Sequence, residues 1–246
     1  MQRSLLNLAA YNNAIWCNLV CEAHGFCGEF ADGLWFSRSG APAYYPDVIT
    51  LFGSEFSAQQ LLRIRRLIET PRDDARAVKD SFSSLELSGL GFRLLFDAHW
   101  IGVNTANSTL ARLPPRYSVD PVQTMPELHL WDTVRNGDKV PGSAELEERS
   151  FWSPLLARHD VRFIAIRYDG QIVGGGILNL TDPVVGVSNV FIADVEPDLI
   201  WRGLLAHARH CFPGRQVVGY ESGSDLSNAL CVGFQKLGPL RIWQSD

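Results

Sequence analysis

Two tripeptides hold the densest grouping of side chains able to move protons or grip a polar substrate. Tyr220-Glu221-Ser222 sets a phenol, a carboxylate and a hydroxyl in a row, and Lys79-Asp80-Ser81 an ammonium, a carboxylate and a hydroxyl. Glu221 suits a general base toward an amine, Tyr220 an acid, and Ser222 or Ser81 a positioning hydroxyl, with Lys79, Asp80 and Ser81 as a substrate-binding set. A structural role competes: Glu221 and Asp80 cap the helices that follow, and the serines satisfy turn backbone. Ser188-Asn189 interrupts the apolar run VVGVSNVFI. It is either a bulge whose amide and hydroxyl face a cleft and bind substrate, or a plain hydrogen-bonded pair. Gly174-Gly175-Gly176 permits close backbone approach, by a ligand or by a neighbouring helix.

Other groupings point to metal or nucleic acid. Cys17, Cys21 and His24 share a helical face ahead of Cys27, but structural zinc more often uses Cys-x-x-Cys knuckles, so no metal is expected. Arg63, Arg65, Arg66, Arg72 and Arg76 cluster in a chain with just three lysines. Guanidinium planes suit the phosphates of tRNA. The same arginines serve equally as a solvated helix face paired with Glu69, Asp73 and Asp74.

Hydrophobic periodicity and turn residues supply the elements that must position these groups. Leu8 to His24 reads as a helix stopped by Gly25, and Phe26 to Ser37 as a hairpin turning at Asp32-Gly33. A strand around Pro46 to Phe52, a helix over Ser57 to Glu69, a strand over Ala77 to Phe82, a short helix over Ser84 to Gly91 and a strand over Arg93 to Ile101 follow. After a proline-containing stretch the order recurs. Ala144 to Arg158 reads as a helix, Arg162 to Leu180 as a hairpin at Asp169-Gly170, Val184 to Ile192 as a strand and Asp198 to Phe212 as a helix. Val217 to Ser222, Asp225 to Val232 and Pro239 to Gln244 then read as strand, short helix and strand. Gly33 to Gly170 is 137 residues, Ser57 to Asp198 is 141 and Trp100 to Trp243 is 143. Offsets that drift slowly in one direction mark a tandem duplication with changed loop lengths. The expected organisation is one unit over 1–103, a linker over 104–128 and a second unit over 129–246. The two units are free to pair strands across the linker.

The second unit resembles the GNAT superfamily of N-acetyltransferases. The resemblance rests on FIAIRYDGQIVGGGILNL (163–180), VVGVSNVFI (184–192) and SDLSNALCVGFQKLGPLRIW (224–243), which ends in a Gly233-Phe234 corner and a last strand. LELSGLGFRLLFDAHWI (85–101) looks like a diverged copy. The implied fold is mixed α/β: two tandem GNAT-like units, each a mainly antiparallel central sheet flanked by helices. The superfamily holds the pyrophosphate of acetyl-CoA on a glycine-rich loop at a helix N-terminus. The corresponding Ala193-Asp194-Val195-Glu196-Pro197-Asp198 has three carboxylates, no glycine, and a proline that removes one N–H donor. The first-unit counterpart, Gly53-Ser54-Glu55-Phe56-Ser57, also lacks the pattern. Where the family often carries a proton-donating tyrosine, this chain has Leu87 and Ala229.

The resemblance implies an amide-forming N-acyltransferase acting on a small-molecule amine, with no permanently bound cofactor. The degenerate loop tilts the donor toward aminoacyl-tRNA. An acyl-CoA-dependent N-acetyltransferase is the alternative, and a non-catalytic GNAT-fold binding protein the second. Composition agrees with a globular protein: 246 residues, 46% hydrophobic and 20% charged, with a net charge of -5 that argues against a broad nucleic-acid surface. No membrane association and a cytoplasmic location are expected from five cysteines, an odd number, and the lack of an apolar leader.

Overall fold

The computed structural model describes residues 4–70, 75–104, 112–137 and 153–245. The chain opens with α1 (Leu5–Ala23), begun by the Ser4 hydroxyl accepting from the Asn7 N–H at 3.2 Å. A hairpin of β1 (Gly28–Ala31) and β2 (Leu34–Ser37) turns through Asp32 and Gly33, both at positive φ, as a two-residue turn between twisted strands requires. Then come β3 (Val48–Thr50), α2 (Ser57–Ile68), β4 (Ala77–Asp80) and β5 (Phe92–Asn104). After β6 (Tyr117–Pro121), α3 (Met125–Arg135) and the short α4 (Ser153–Leu156), the pattern recurs. A hairpin of β7 (Val161–Tyr168) and β8 (Gln171–Thr181), again with positive φ at its Asp169-Gly170 turn, leads into β9 (Val184–Ile192). It closes with α5 (Pro197–Cys211), β10 (Gln216–Glu221), α6 (Gly223–Cys231) and β11 (Gln235–Ser245).

All these strands form one sheet in the order β1-β2-β3-β4-β11-β5-β10-β9-β8-β7-β6. Antiparallel β1-β2-β3 followed by parallel β3-β4 matches antiparallel β7-β8-β9 followed by parallel β9-β10. The two closing strands are exchanged: β11 pairs with β4, β5 pairs with β10, and β5 and β11 pair with each other from Phe92 to Gly102. Every strand in the middle of the molecule therefore has a neighbour from the other half. One sheet face is covered by α2, whose Ile64 and Leu67 pack on Leu34, Phe36 and Val78, and by α5 and α6, whose Ile200, Leu204 and Ala229 pack on Ile166, Leu178 and Val217. The opposite face carries α3 and α1. The latter buries Cys17 and Cys21 against Trp35 and Ile49, and Trp16 and Val20 in the cluster with Trp131, Phe163 and Ile177. One N-terminal helix thus packs against strands of both halves.

Two expectations change, and a third falls largely outside the described residues. Ser84 to Gly91 holds only a 3-10 turn at Ser88–Leu90, because the Asp80 carboxylate takes the Leu85 N–H at 2.8 Å and fixes the segment before a helix can begin. The stretch expected as linker contains β6, whose Tyr117 and Val119 pack with α5, and the start of α3, which has a Thr124/Glu127 capping box. Of the helix expected over 144–158, Ser153–Leu156 is present, and 144–152 lies outside the described residues. The three glycines of β8 are explained by packing. A Cβ on Gly174 would sit 2.5 Å from Ile200, and one on Gly175 2.2 Å from the Ile164 carbonyl and 2.7 Å from the Trp131 indole.

Candidate functional site

Parallel strands β9 and β10 pair over three residues, Val184 to Gly186 against Gln216 to Val218. Beyond that point they part, and β9 bulges: its register on β8 slips between Gly175 and Ile177, and Asn189 adopts φ 52°. An asparagine tolerates this conformation better than the β-branched residues around it. The result is a cleft floored by strand backbone at the sheet's centre.

Two cavities open there. One, of about 220 Å³, lies on the α1 side and is lined by Asn13, Cys17, Tyr45, Lys79, Ser188, Asn189, Tyr220 and Glu221 among others. The second, of about 240 Å³, is lined by Val190, Phe191, Ile192, Trp201, Glu221 and Asp225. Val190 and Glu221 belong to both, so Glu221 stands where the cavities adjoin. Its carboxyl pKa is pushed up to about 8, first by burial and second by the like charge of Asp225. A carboxylate with a pKa near 8 is closer in basicity to an amine than an ordinary carboxylate is, and it becomes the proton-accepting form as pH rises through 8.

Of the residues expected to do chemistry, Tyr220, Glu221, Lys79, Ser188 and Asn189 come together around the first cavity. Tyr220 is held edge-on against Trp100 with ring centroids 5.4 Å apart, and the Lys79 ammonium lies 4.2 Å above its ring. The Asn189 side chain donates to the Ser188 hydroxyl at 3.2 Å and accepts from Arg135 at 3.2 Å, so the bulge both faces the cavity and is braced from α3.

Three expected site residues stand apart. Ser222 is exposed at the N-terminal boundary of α6, outside both linings. Asp80 and Ser81 are fully buried. The Asp80 carboxylate accepts from the Leu85 and Phe82 N–H groups at 2.8 and 3.4 Å, and burial raises its pKa against those bonds. Ser81 donates its N–H to the Thr50 hydroxyl at 2.8 Å. These bonds tie the first half's own β3/β4 junction together and place both residues outside the two cavity linings, although no helix follows for Asp80 to cap.

Sequence reasoning missed the contributions of α1 and of the segment before β3. Asn13 and Cys17 line the first cavity, with burial holding the Cys17 thiol above its ordinary pKa, and burial likewise raises the Tyr45 phenol. Two adjacent asparagines, Asn12 and Asn13, amid the apolar run of α1 were the available signal, since both are buried. Asn12 donates to the Asn179 carbonyl at 3.1 Å. Asn13 accepts from Lys79 at 2.7 Å. Trp201, fully buried against the second cavity, has an indole N–H with no partner among the described residues.

At the start of α5 the acidic segment keeps its expected character. Glu196 occupies the N-cap without a side-chain cap bond, Pro197 follows, and Asp198 engages Arg202 in an ion pair that neutralises the nearest guanidinium. Leu87 and Ala229 are fully buried apolar side chains. Two of the arginines are engaged within the fold. Arg63 pairs with Asp32 at 3.4 Å and stacks on Phe36, and Arg76 caps the end of α2 through the Leu67 carbonyl at 2.9 Å and the Thr70 carbonyl. Arg65 and Arg66 are exposed, and Arg72 lies outside the described residues. Cys17 and Cys21 face the core while Cys27 is exposed. Among the described residues no helix is long and apolar enough to cross a membrane.

No protein-family model matches the sequence, and no curated protein sequence matches it. Solved structures with the same fold do exist. A GCN5-related N-acetyltransferase from Kribbella flavida superposes with a TM-score of 0.64 at 15% identity, over 97% of this chain and 95% of that one. One from Sphaerobacter thermophilus gives 0.55 at 11% identity over 99% and 94%. A tandem GNAT protein from the clavulanic acid biosynthesis pathway gives 0.54 at 11% identity over 97% and 95%. The chain therefore has a tandem GNAT fold.

Proposed function

We propose that this protein is an amide-forming acyltransferase whose reaction takes place where β9 and β10 part. The carrying observation is Glu221, a carboxyl with pKa near 8 that lines two adjoining cavities. In this reading the cavity beside Trp201 and Asp225 takes an activated acyl group and the one beside Lys79 an amine. Glu221 removes a proton from the attacking ammonium, and the neutral nitrogen adds to the acyl carbonyl. Backbone N–H groups on the parted edge of β9 meet the oxyanion, and the leaving group departs protonated by solvent or Tyr220. The unmatched Trp201 indole N–H offers the acyl arm a hydrogen bond.

Arg63 and Arg76 are engaged by groups of their own half, which leaves fewer guanidiniums for tRNA phosphates and favours an acyl thioester over an aminoacyl ester as donor. The acidic start of α5 disfavours the pyrophosphate of CoA, so the thioester arm and not the nucleotide carries recognition. The test is release of free thiol from acetyl-CoA or acetyl-pantetheine with a pool of small primary amines. Wild type should turn over, and Glu221→Gln should lose about 10²- to 10⁴-fold. Equal rates in the two proteins would overturn the reading.

A further inference from the structure

Lys79 is 3% exposed. Its ammonium has three donors, of which one goes to the Asn13 amide oxygen at 2.7 Å, while its charge rests on the Tyr220 ring. Among the described residues it has no ion-pair partner. Neighbouring Asp80 points to the other face of the strand, its oxygens engaged by loop N–H groups. Glu221 lines the same cavity without pairing to it. A buried cation whose nearest groups are an amide and an aromatic face is poorly compensated, and proteins rarely keep one unless an anion joins it. The cavity is lined by Lys79 from one half of the chain and by Glu221 from the other.

We propose that the acceptor is a small zwitterionic amino acid, its carboxylate held by Lys79 and its amine presented to Glu221. This rests on the acyltransferase reading and adds the substrate's second group. Lys79 supplies a point charge to one end of the molecule, Tyr220 forms the wall between the ends, and Ser188 and Asn189 offer hydrogen bonds along the bulge. A plain alkylamine would bring no anion to the ammonium. An amino acid cancels it while fitting a space of about 220 Å³.

The test measures binding and transfer separately. Binding of the ω-amino acids from glycine to 6-aminohexanoate, each against the alkylamine of equal length, is followed by calorimetric titration. Acyl transfer to the same compounds is followed by thiol release. At least one amino acid should bind ten times or more tighter than its matched amine. Lys79→Met should abolish that preference while circular dichroism shows a folded chain, and Lys79→Arg should restore part of it. Equal binding of acids and amines, or no binding of either, overturns the inference. So does an unchanged preference in Lys79→Met. Transfer to amines without preference for the acids would retain the acyltransferase and discard the carboxylate subsite. Lys79-dependent binding without transfer would retain the subsite and discard the chemistry.

Discussion

Replacing Glu221 by glutamine should make the protein more stable at every pH above about 4.5, and most of all above pH 8. The folded-state pKa near 8 stands above the ordinary 4.5, so the folded chain holds this proton more tightly than the unfolded chain does. Below about pH 4.5 both states are protonated and the site costs nothing. As pH rises the unfolded chain releases its proton first, so stability falls until the folded carboxyl also ionises near 8, above which the full penalty remains. The interval from 4.5 to about 8 corresponds to at most about 5 kcal/mol, and solvent contact at a partly buried carboxyl reduces this to about 2–3 kcal/mol. Glutamine keeps the shape without the charge. Glu221→Gln should therefore match wild type at pH 4.5 and exceed it by about 2–3 kcal/mol at pH 9, or roughly 5–10 °C in Tm for a chain of this size. Scanning calorimetry at intervals between the two pH values reads this directly. A pH-independent difference between the proteins, or a variant less stable at pH 9, would refute the burial of Glu221 as its cause.

Other consequences follow from the residues that left the site. Asp80→Ala should destabilise by about 2–4 kcal/mol in urea unfolding, because buried loop N–H groups lose their acceptor, yet leave the KM of any acceptor unchanged; a selective rise in KM would return Asp80 to the site. Arg65→Gln with Arg66→Gln should change stability by less than about 1 kcal/mol, and gel shifts of total tRNA at low salt should be as weak for wild type as for the variant. A tRNA affinity lost in the variant would reinstate the aminoacyl donor. Acetyl-CoA should bind more weakly than about 1 mM by calorimetry, with several backbone hydrogen bonds of a phosphate loop missing at about 1 kcal/mol each. Acetyl-pantetheine should then show a kcat/KM within about threefold of acetyl-CoA, whereas micromolar CoA binding would contradict the account of the α5 terminus.

The parts of this molecule that were legible in its sequence are those decided locally. Asp32-Gly33 and Asp169-Gly170 announce hairpins because their left-handed backbone is written in the residue types. The acidic start of α5 is equally plain in the order Asp194, Glu196, Pro197, Asp198. The pairing of β11 with β4 and of β5 with β10 is decided by contacts between residues more than 100 apart, which periodicity cannot specify. The same limit hid Asn13 and Cys17, since α1 carries the pattern of any buried helix and only the assembled sheet brings it over the cleft. Asp80 and Glu221 look alike as carboxylates ending corresponding strands. What separates them is that the Asp80 loop folds back with N–H groups to donate, while Glu221 is left facing open cavities.

The pH dependence of kcat/KM for thiol release, in wild type and Glu221→Gln, addresses the central claim most directly. With Glu221 as general base, the wild-type rate should climb about tenfold per pH unit and level off near pH 8, and Asp225→Asn should move that inflection to lower pH by removing a like charge. Glu221→Gln should be slower by at least about 100-fold and lack the inflection. A variant that keeps both the wild-type rate and its inflection would show that the proton leaves by another route and that the cleft between β9 and β10 is not where the chemistry occurs.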